Sequence, residues 1–569
     1  SVTLDDNNLP PDNLQTTPHE SVAHRTSPTN IGLYLLSTAC ARQFGWIGTL
    51  DMVARIEATL ASLKKMQRYR GHFLNWYDTQ SLSPLTPMYV STVDSGNLSG
   101  HLLAVSQACL ETVESTHSNG AARRAIVASL RRLGPLLTIR RELLPTLADD
   151  AAILMLLTIP ERLIGSPGTL DLSEQHLSDA AAEIARMSLE QHGSASAQQV
   201  ASRTELLQML SDHITMLRSA SIDTVAISTD TEISALRARV CSLAGECERI
   251  AWEADFSFLY HRKRNLFHIG YRIAEQQLDT SFYDLLASES RLTSLLAIAK
   301  GDAPVNHWAS LGRPFFAVGS NSGLRSWSGS MFEYLMPGLV LAEPRDSVLR
   351  DACLAAIDEQ VCYGTLRNVP WGMSESAYAA RDETLAFQYA PQGVPRLALR
   401  RTPLDEIVVA PYATALAAQL SPQRACANLR TIEKMGGLGP FGFIDALDFS
   451  PARLEGAEVY MPVSTFMAHH QGMTIVALSN LLLDNAPQRW CMANAHIEAV
   501  ASLLHERAPR EVSTLRSLPA APPSLVLRRR SASMLRELRP GQHGVEPTHV
   551  LSNGRYSVAL RPNCAGTSR

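Results

Sequence analysis

Two glutamates stand in settings that could support acid–base chemistry on a sugar. Glu289 and Glu375 each lie between two serines, and Glu375 is also flanked by Trp371 and Tyr378. Breaking a glycosidic bond needs two carboxyl groups, one to protonate the leaving oxygen and one to attack the anomeric carbon or to activate water. The pattern alone also fits an exposed helix glutamate at 289 and a loop-fixing carboxylate at 375. The spacing predicts an amphipathic helix over 282–300 that carries Glu289, and a loop over 369–382 that carries Glu375.

A third carboxylate, Asp445, follows a glycine–aromatic turn and could act on a substrate or cap a helix. His469 and His470 are adjacent, and neighbouring positions on a helix point about 100° apart, so they favour hydrogen bonding or core packing over a metal site. The residues predicted to bind substrate are Trp76, Tyr77, Asp78, Asp94, Trp327, Glu333, Trp371, Tyr378, Arg381, His469, His470 and Gln471.

Composition and missing motifs narrow the function. The chain has 51 basic and 55 acidic residues, a net charge of -4, which disfavours a dedicated nucleic-acid binder. There is no phosphate-binding loop, dinucleotide fingerprint or serine nucleophile elbow, so nucleotide-sugar transfer is not supported. Nine cysteines without a C-x-x-C spacing indicate reduced, mostly buried thiols. No cofactor and no metal are predicted.

The order of composition along the 569 residues predicts an all-α chain in several parts. Proline-rich residues 1–30 indicate a linker, 31–115 the start of a helical barrel, 116–250 a helical insertion, and 251–510 the catalytic barrel. Residues 511–569 indicate a second linker and the stub of a following β-sandwich module, with a hairpin at Asn553-Gly554. We therefore expect a fragment of a longer polypeptide. No apolar run is long enough to predict a transmembrane helix.

Eight segments together resemble the glucoamylase-like transglycosylase module of cyclic β-1,2-glucan synthases, over roughly residues 10–510. They are HRTSPTNIGLY at 24–34, NWYD at 75–78, STVDSGN at 91–97, YDLLASE at 283–289, WSGSMFEYLMP at 327–337, WGMSES at 371–376, VAPYAT at 409–414 and AHHQGM at 468–473. Residues 551–557 resemble the start of the phosphorylase-like module that follows in those synthases.

The resemblance implies an (α/α)6 toroid barrel with an additional N-terminal helical region, acting on linear β-1,2-glucan. It implies retaining transglycosylation, in which the glucan is cut and its ends are joined, with Glu375 as nucleophile and Glu289 as acid/base. The alternatives are an endo-β-1,2-glucanase, in which Glu289 is the acid and Asp445 assists a water, and a catalytically silent glucan-binding module. The other modules of a larger synthase would be its partners, at the cytoplasmic face of the inner membrane or in the periplasm.

One departure from the synthase pattern bears on this choice. Synthases have Gly-Phe-Tyr-Glu where this chain has Gly442-Phe443-Ile444-Asp445, and hydrolytic relatives also carry aspartate at that point. A shorter carboxylate and a lost ring predict an opened acceptor site and a drift from cyclisation towards hydrolysis.

Overall fold

The computed structural model describes residues 3–115, 211, 215, 229–318, 321–439, 441–454, 458–509, 548–553, 555–561 and 565–568. The backbone divides into two compact units, Ser1–Thr514 and Leu515–Arg569. The predicted helical insertion over 116–250 lies largely outside the described residues, apart from its last helix.

Helices dominate the first unit. Their bounds are α1 Pro28–Phe44, α2 Thr49–Leu63, α3 Thr92–Ser115, α4 Asp230–Glu253, α5 Arg291–Lys300, α6 Asn306–Ser310, α7 Met331–Leu335, α8 Val348–Arg367, α9 Pro411–Ala417, α10 Pro422–Lys434, α11 Ala468–Leu482, α12 Ala486–Met492 and α13 Ala495–Val500. Local signals set the ends of α1: the Ser27 side chain accepts from the Asn30 N–H, Pro28 occupies the first turn, and Gly45 closes the helix at φ 78°. Helix α1 then packs against α3 and α11, and α3 packs against α4.

Short strands join these helices, within a fold that is mainly helical as the sequence predicts. They are β1 Asn13–Gln15, β2 Ser21–Val22, β3 Arg25–Thr26, β4 Arg68–Tyr69, β5 His72–Phe73, β6 Tyr77–Asp78, β7 Tyr89–Ser91, β8 Tyr260–His261, β9 Leu266–His268, β10 Gly270–Arg272, β11 Gln277–Leu278, β12 Phe282–Tyr283, β13 Phe315–Val318, β14 Asn321–Leu324, β15 Ser376–Arg381, β16 Phe387–Ala390, β17 Val408–Val409, β18 Leu438–Gly439, β19 Gly442–Phe443, β20 Ala446–Asp448, β21 Met461–Val463 and β22 Thr465–Met467. They pair in antiparallel groups of two or three, such as β17-β20-β21. The unit is therefore a helical fold whose connections are small β-ribbons.

The N-terminal segment is part of this fold, which corrects the prediction of a linker over 1–30. Strand β1 pairs antiparallel with β22, near the other end of the unit. Leu9 and Asp12 are buried. The Asp12 carboxylate accepts from the Arg25 guanidinium at 3.0 Å and from the Asn30 amide at 3.1 Å. The proline-rich segment is therefore packed against the rest of the unit and is not a linker.

In the second unit, strands β23 His549–Ser552, β24 Ser557–Leu560 and β25 Gly566–Ser568 form an antiparallel sheet in the order β23-β24-β25. The predicted hairpin is confirmed, and the Asn553 side chain accepts from the Arg555 and Tyr556 N–H groups in its turn. A following β-sandwich module stays a prediction.

Among the residues that the structure describes, the cysteines are free thiols. Within the same residues no helix is long and apolar enough to cross a membrane.

Candidate active site

Glu289 and Glu375 line one cavity of about 410 Å³ in the first unit. Both side chains are half-buried. The cavity wall consists of Asp12, Arg25, Ser27, Thr29, Asn30, Asn75, Trp76, Ser91, Val93, Asp94, Asn97, Tyr283, Glu289, Phe332, Glu375, Tyr389, Met467 and His469. Residues from 12 to 469 along the chain thus converge on one cavity with the two glutamates.

Glu289 lies in a turn immediately before α5, not within a helix over 282–300 as the sequence predicts. Residues Phe282–Tyr283 form strand β12 instead, and the helix begins at Arg291. The buried Arg291 guanidinium explains this start, since it donates to the Ser288 carbonyl at 3.1 Å and to the Glu333 carbonyl at 2.9 Å, and it pairs with Glu343 at 2.6 Å. Arg291 therefore ties the turn that presents Glu289 to the start of α7.

Glu375 directly precedes strand β15, and a glycine turn delivers it there. Gly372 has φ +125°, a conformation that side chains rarely adopt, and a Cβ at this position would lie 3.0 Å from the Thr414 hydroxyl oxygen. The Tyr412 hydroxyl donates to the Glu375 carbonyl at 2.8 Å. The backbone that carries Glu375 is thereby fixed from both sides, as the predicted tight turn requires.

The two carboxyls are electrostatically coupled. Burial, followed by the neighbouring Glu333 carboxylate, raises the pKa of Glu289 to about 7. Burial and then Glu289, Glu333 and Asp94 raise the pKa of Glu375 to about 8. Like charges at one site cannot both ionise cheaply, so near neutral pH the pair holds about one proton.

Asp94 and Trp76 form a further wall of the cavity. The Thr29 hydroxyl donates to Asp94 at 2.6 Å, and burial raises the pKa of Asp94. In the amide orientation that gives both atoms a partner, the Asn75 nitrogen donates to the Asp94 carboxylate at 2.9 Å. The Asn75 oxygen then accepts from the Trp76 indole N–H at 3.1 Å. The Arg25 guanidinium lies 5.1 Å from the Trp76 ring centroid. These contacts hold an aromatic ring and a carboxylate against the space beside Glu289.

Asp445 does not reach the cavity. Its side chain is fully buried, one carboxylate oxygen accepts from the Ala377 N–H at 2.8 Å, and the other lies 2.6 Å from His470 Nδ1. Each oxygen of the carboxylate thus has a protein partner, and Asp445 is not among the residues of the cavity wall. A direct action of Asp445 on the substrate stays a prediction.

Three other residues of the predicted substrate-binding set make hydrogen bonds within the protein and are not among those of the cavity wall. Tyr77 is fully buried, and its hydroxyl donates to the Gln67 carbonyl and accepts from the Leu74 N–H. Asp78 accepts from the Ser81 N–H in an exposed turn. The Gln471 amide donates to the Phe443 carbonyl.

The other residues predicted to bind substrate, between 327 and 381, are not among those of the cavity wall. Glu333 is buried and accepts from Ser326, Ser328 and Ser330 in a capping box at the start of α7. Trp327 is exposed and donates to Asp284. The other three pack against protein: Trp371 is buried, Tyr378 lies under Arg453, and Arg381 lies over Phe387.

Of the predicted set, Trp76, Asp94 and His469 line the cavity with the two glutamates, and His470 lies directly behind them. Sequence reasoning missed Tyr283, Tyr389 and Arg25. Tyr283 and Arg25 belong to the segments YDLLASE and HRTSPTNIGLY, which offered a signal for them. Tyr389 lies in none of the matched segments. In the described ranges, no group of three His, Cys, Asp or Glu side chains could hold a metal ion.

Two comparisons show which known proteins this chain is similar to in sequence. Residues 281–494 match the family model described as putative glucoamylase. The whole chain aligns at 39% identity with cyclic β-(1,2)-glucan synthase NdvB of Rhizobium meliloti strain 1021, and it spans 20% of that protein's length.

Two solved structures share the fold at low identity. A putative glucoamylase from Bacteroides caccae is 14% identical, with a TM-score of 0.53 over 88% of this chain and 94% of that one. The endo-β-1,2-glucanase from Talaromyces funiculosus, solved with sophorose, is 10% identical, with a TM-score of 0.55 over 88% and 85%. The chain is therefore similar over residues 281–494 to the putative glucoamylase family, shares a helical fold with these two solved structures, and is similar along its whole length to one part of a cyclic β-1,2-glucan synthase.

Proposed function

We propose that this module cleaves linear β-1,2-glucan and rejoins the ends by retaining transglycosylation, as one part of a larger synthase. The observation that carries the proposal is the pair of glutamates on one cavity wall, coupled so that they hold about one proton near neutral pH. A single proton on two carboxyls is the state that a general acid and a nucleophile require.

In the proposed reaction, Glu375 attacks the anomeric carbon while Glu289 protonates the departing glucan oxygen. A covalent glycosyl-enzyme results. Glu289, now ionised, then takes the proton of an incoming sugar hydroxyl, which displaces Glu375 and restores the β-linkage. When that hydroxyl belongs to the same chain, the product is a ring.

In the free enzyme the two carboxyls share about one proton near neutral pH. The proposed roles require that this proton lies on Glu289 once a glucan is bound. A bound sugar at Glu375 would favour this, because the developing positive charge at the anomeric carbon stabilises an ionised carboxylate beside it.

Hydrolysis by inversion, with Asp445 assisting a water, gains no support from the site, because Asp445 is buried behind His470. Hydrolysis by retention, with water in place of the sugar hydroxyl, uses the same two glutamates. Incubation with linear β-1,2-glucan distinguishes the outcomes: rings or elongated chains indicate transglycosylation, and short reducing oligomers indicate hydrolysis.

Azide rescue tests the roles of the two glutamates. Glu289→Ala and Glu375→Ala are each treated with β-sophorosyl fluoride and sodium azide, and the products are identified by NMR. Azide should intercept the glycosyl-enzyme of Glu289→Ala and give a β-azide, whereas in Glu375→Ala it should attack directly and give an α-azide.

Glu433→Ala is the matched control, since Glu433 is an exposed glutamate on α10. It should keep wild-type activity without azide. The opposite pair of anomers would exchange the roles of Glu289 and Glu375. No azide adduct from either variant would end the retaining mechanism.

A further inference from the structure

We propose that Asp445 and His470 set the direction of a hydrogen-bond chain that makes the Tyr389 hydroxyl an acceptor for a hydroxyl of the bound glucan. The inference rests on the proposed function and adds a substrate-contacting residue and two positioning residues to it. None of the three roles follows from the two glutamates.

The hydrogen-bond chain begins at Asp445. Because one carboxylate oxygen accepts from the Ala377 N–H, the other faces His470 Nδ1 at 2.6 Å as an acceptor. Nδ1 must then carry the proton, and in the neutral imidazole Nε2 has a free lone pair. Tyr412 stacks on the His470 ring at a centroid distance of 3.6 Å and holds its plane.

The next link is Tyr389, whose hydroxyl lies 3.3 Å from His470 Nε2 and 3.2 Å from His469 Nε2. Burial, followed by the Glu375 carboxyl, raises the pKa of Tyr389 well above its usual value, so the phenol keeps its proton. In the proposed chain that proton is directed to His470 Nε2, and the contact with His469 Nε2 then requires this second nitrogen to be the donor. The phenol oxygen keeps its remaining lone pair for another donor.

The Tyr389 oxygen can accept a hydrogen bond from a group bound in the cavity. Tyr389 lines the same wall as Glu289 and Glu375 and keeps 38% of its surface accessible. A hydrogen-bond acceptor of this kind selects a sugar hydroxyl that donates, and it would hold the ring beside Glu375 in one orientation. Because Asp445 also holds Ala377, two residues after Glu375, one buried carboxylate links the orientation of the substrate to the position of Glu375.

Reversing the direction of the hydrogen bonds between Asp445, His470 and Tyr389 tests the inference. In Asp445→Asn the amide oxygen can stay on the Ala377 N–H, and the amide NH₂ then donates to His470 Nδ1. This forces the imidazole proton onto Nε2, where it occupies the Tyr389 lone pair. Tyr389→Phe removes the hydroxyl altogether. His470→Asn keeps a hydrogen-bond donor to the Asp445 carboxylate but removes the Nε2 acceptor. It therefore separates the contact with Asp445 from the contact with Tyr389.

Each variant should lower kcat/KM on linear β-1,2-glucan by about 2- to 12-fold, the range for one hydrogen bond to an uncharged partner. Tyr389→Phe should keep the wild-type unfolding midpoint, whereas His470→Asn should lower it, because the buried ring that stacks on Tyr412 is lost. Adding Asp445→Asn to Tyr389→Phe should cost little beyond Tyr389→Phe alone, because both changes remove the same contact. Tyr363→Phe, a tyrosine on α8 away from the cavity, is the control and should behave as wild type.

A second measurement needs no turnover. Two-bond ¹H–¹⁵N spectra of the full chain labelled in histidine should show His470 protonated at Nδ1 only, and at Nε2 in Asp445→Asn. The proposed hydrogen-bond chain would be refuted if wild-type His470 is protonated at Nε2. It would also be refuted if the losses in kcat/KM of Asp445→Asn and Tyr389→Phe are fully additive in the double variant. Failure of the proposed function is distinguishable, since an inactive wild type would still show the Nδ1 tautomer.

Discussion

The coupled glutamates predict a bell-shaped dependence of kcat/KM on pH. Activity requires one carboxyl protonated and the other ionised, so acid inactivates by protonating the nucleophile and base inactivates by removing the proton of the general acid. The values of about 7 for Glu289 and about 8 for Glu375 are treated as the two successive pKa values of the pair.

The one-proton form is then most abundant midway, at about pH 7.5, where it makes up about 60% of the molecules. One unit to either side it falls to about 24%, so kcat/KM should fall to about 40% of its maximum. The assay measures initial cleavage of linear β-1,2-glucan from about pH 5 to about pH 10, with the unfolding midpoint recorded at each pH so that denaturation is not mistaken for either limb.

An optimum below about pH 5.5 would refute the reasoning, since unperturbed glutamates titrate near about 4.3. A flat profile across the same range would refute it as well. Glu289→Gln provides an internal check, because losing the neighbouring charge should lower the pKa of Glu375, whose shift Glu289 supports second only to burial.

Two further perturbations test how the cavity is built. Gly372→Ala should destabilise the protein by ~1–3 kcal/mol and lower kcat, because φ +125° is strained for alanine and the turn places Glu375. Thermal unfolding measures the loss of stability, and steady-state kinetics measures kcat. Gly338→Ala is the control, since a Cβ at Gly338 would meet open space. An unchanged kcat would show that the turn does not position Glu375. Trp76→Ala should raise KM by about tenfold through lost stacking of a sugar ring, whereas Trp327→Ala, outside the cavity wall, should change KM little; equal effects would contradict the assignment of the wall.

Sequence reasoning found the carboxylates and the glycine turn because both depend on local chemistry. It failed where distant contacts decide the local structure. The periodicity over 282–300 fits a helix, but the Arg291 guanidinium bonds backbone carbonyls at 288 and 333 and so ends the turn before the helix begins. Likewise the prolines before residue 30 suggest a linker, whereas β1 pairs with β22 more than 440 residues away.

The residues that line the cavity were harder to predict than the two glutamates for a related reason. Tyr77 and Trp76 are neighbours in one segment with similar composition, yet Tyr77 is inside the core and Trp76 lines the cavity. Strand geometry points successive side chains to opposite faces, and only the tertiary structure says which face the cavity occupies. Tyr389 reaches the site on β16, a strand with no motif, because β16 pairs with β15 immediately after Glu375.

The Ile444-Asp445 departure acquires a different meaning once its surroundings are known. Ile444 is buried, and Asp445 fits between the Ala377 N–H and His470 Nδ1 with both oxygens engaged. A glutamate there would carry its carboxylate about 1–1.5 Å further out, so it could keep one of those two contacts only by displacing the other group. Ala377 follows Glu375 closely and His470 supports Tyr389, so the displacement would reach the cavity through the positions of these two side chains. The departure therefore bears on the positions of Ala377 and Tyr389 beside Glu375, and the opening of an acceptor site near Ile444 stays a prediction.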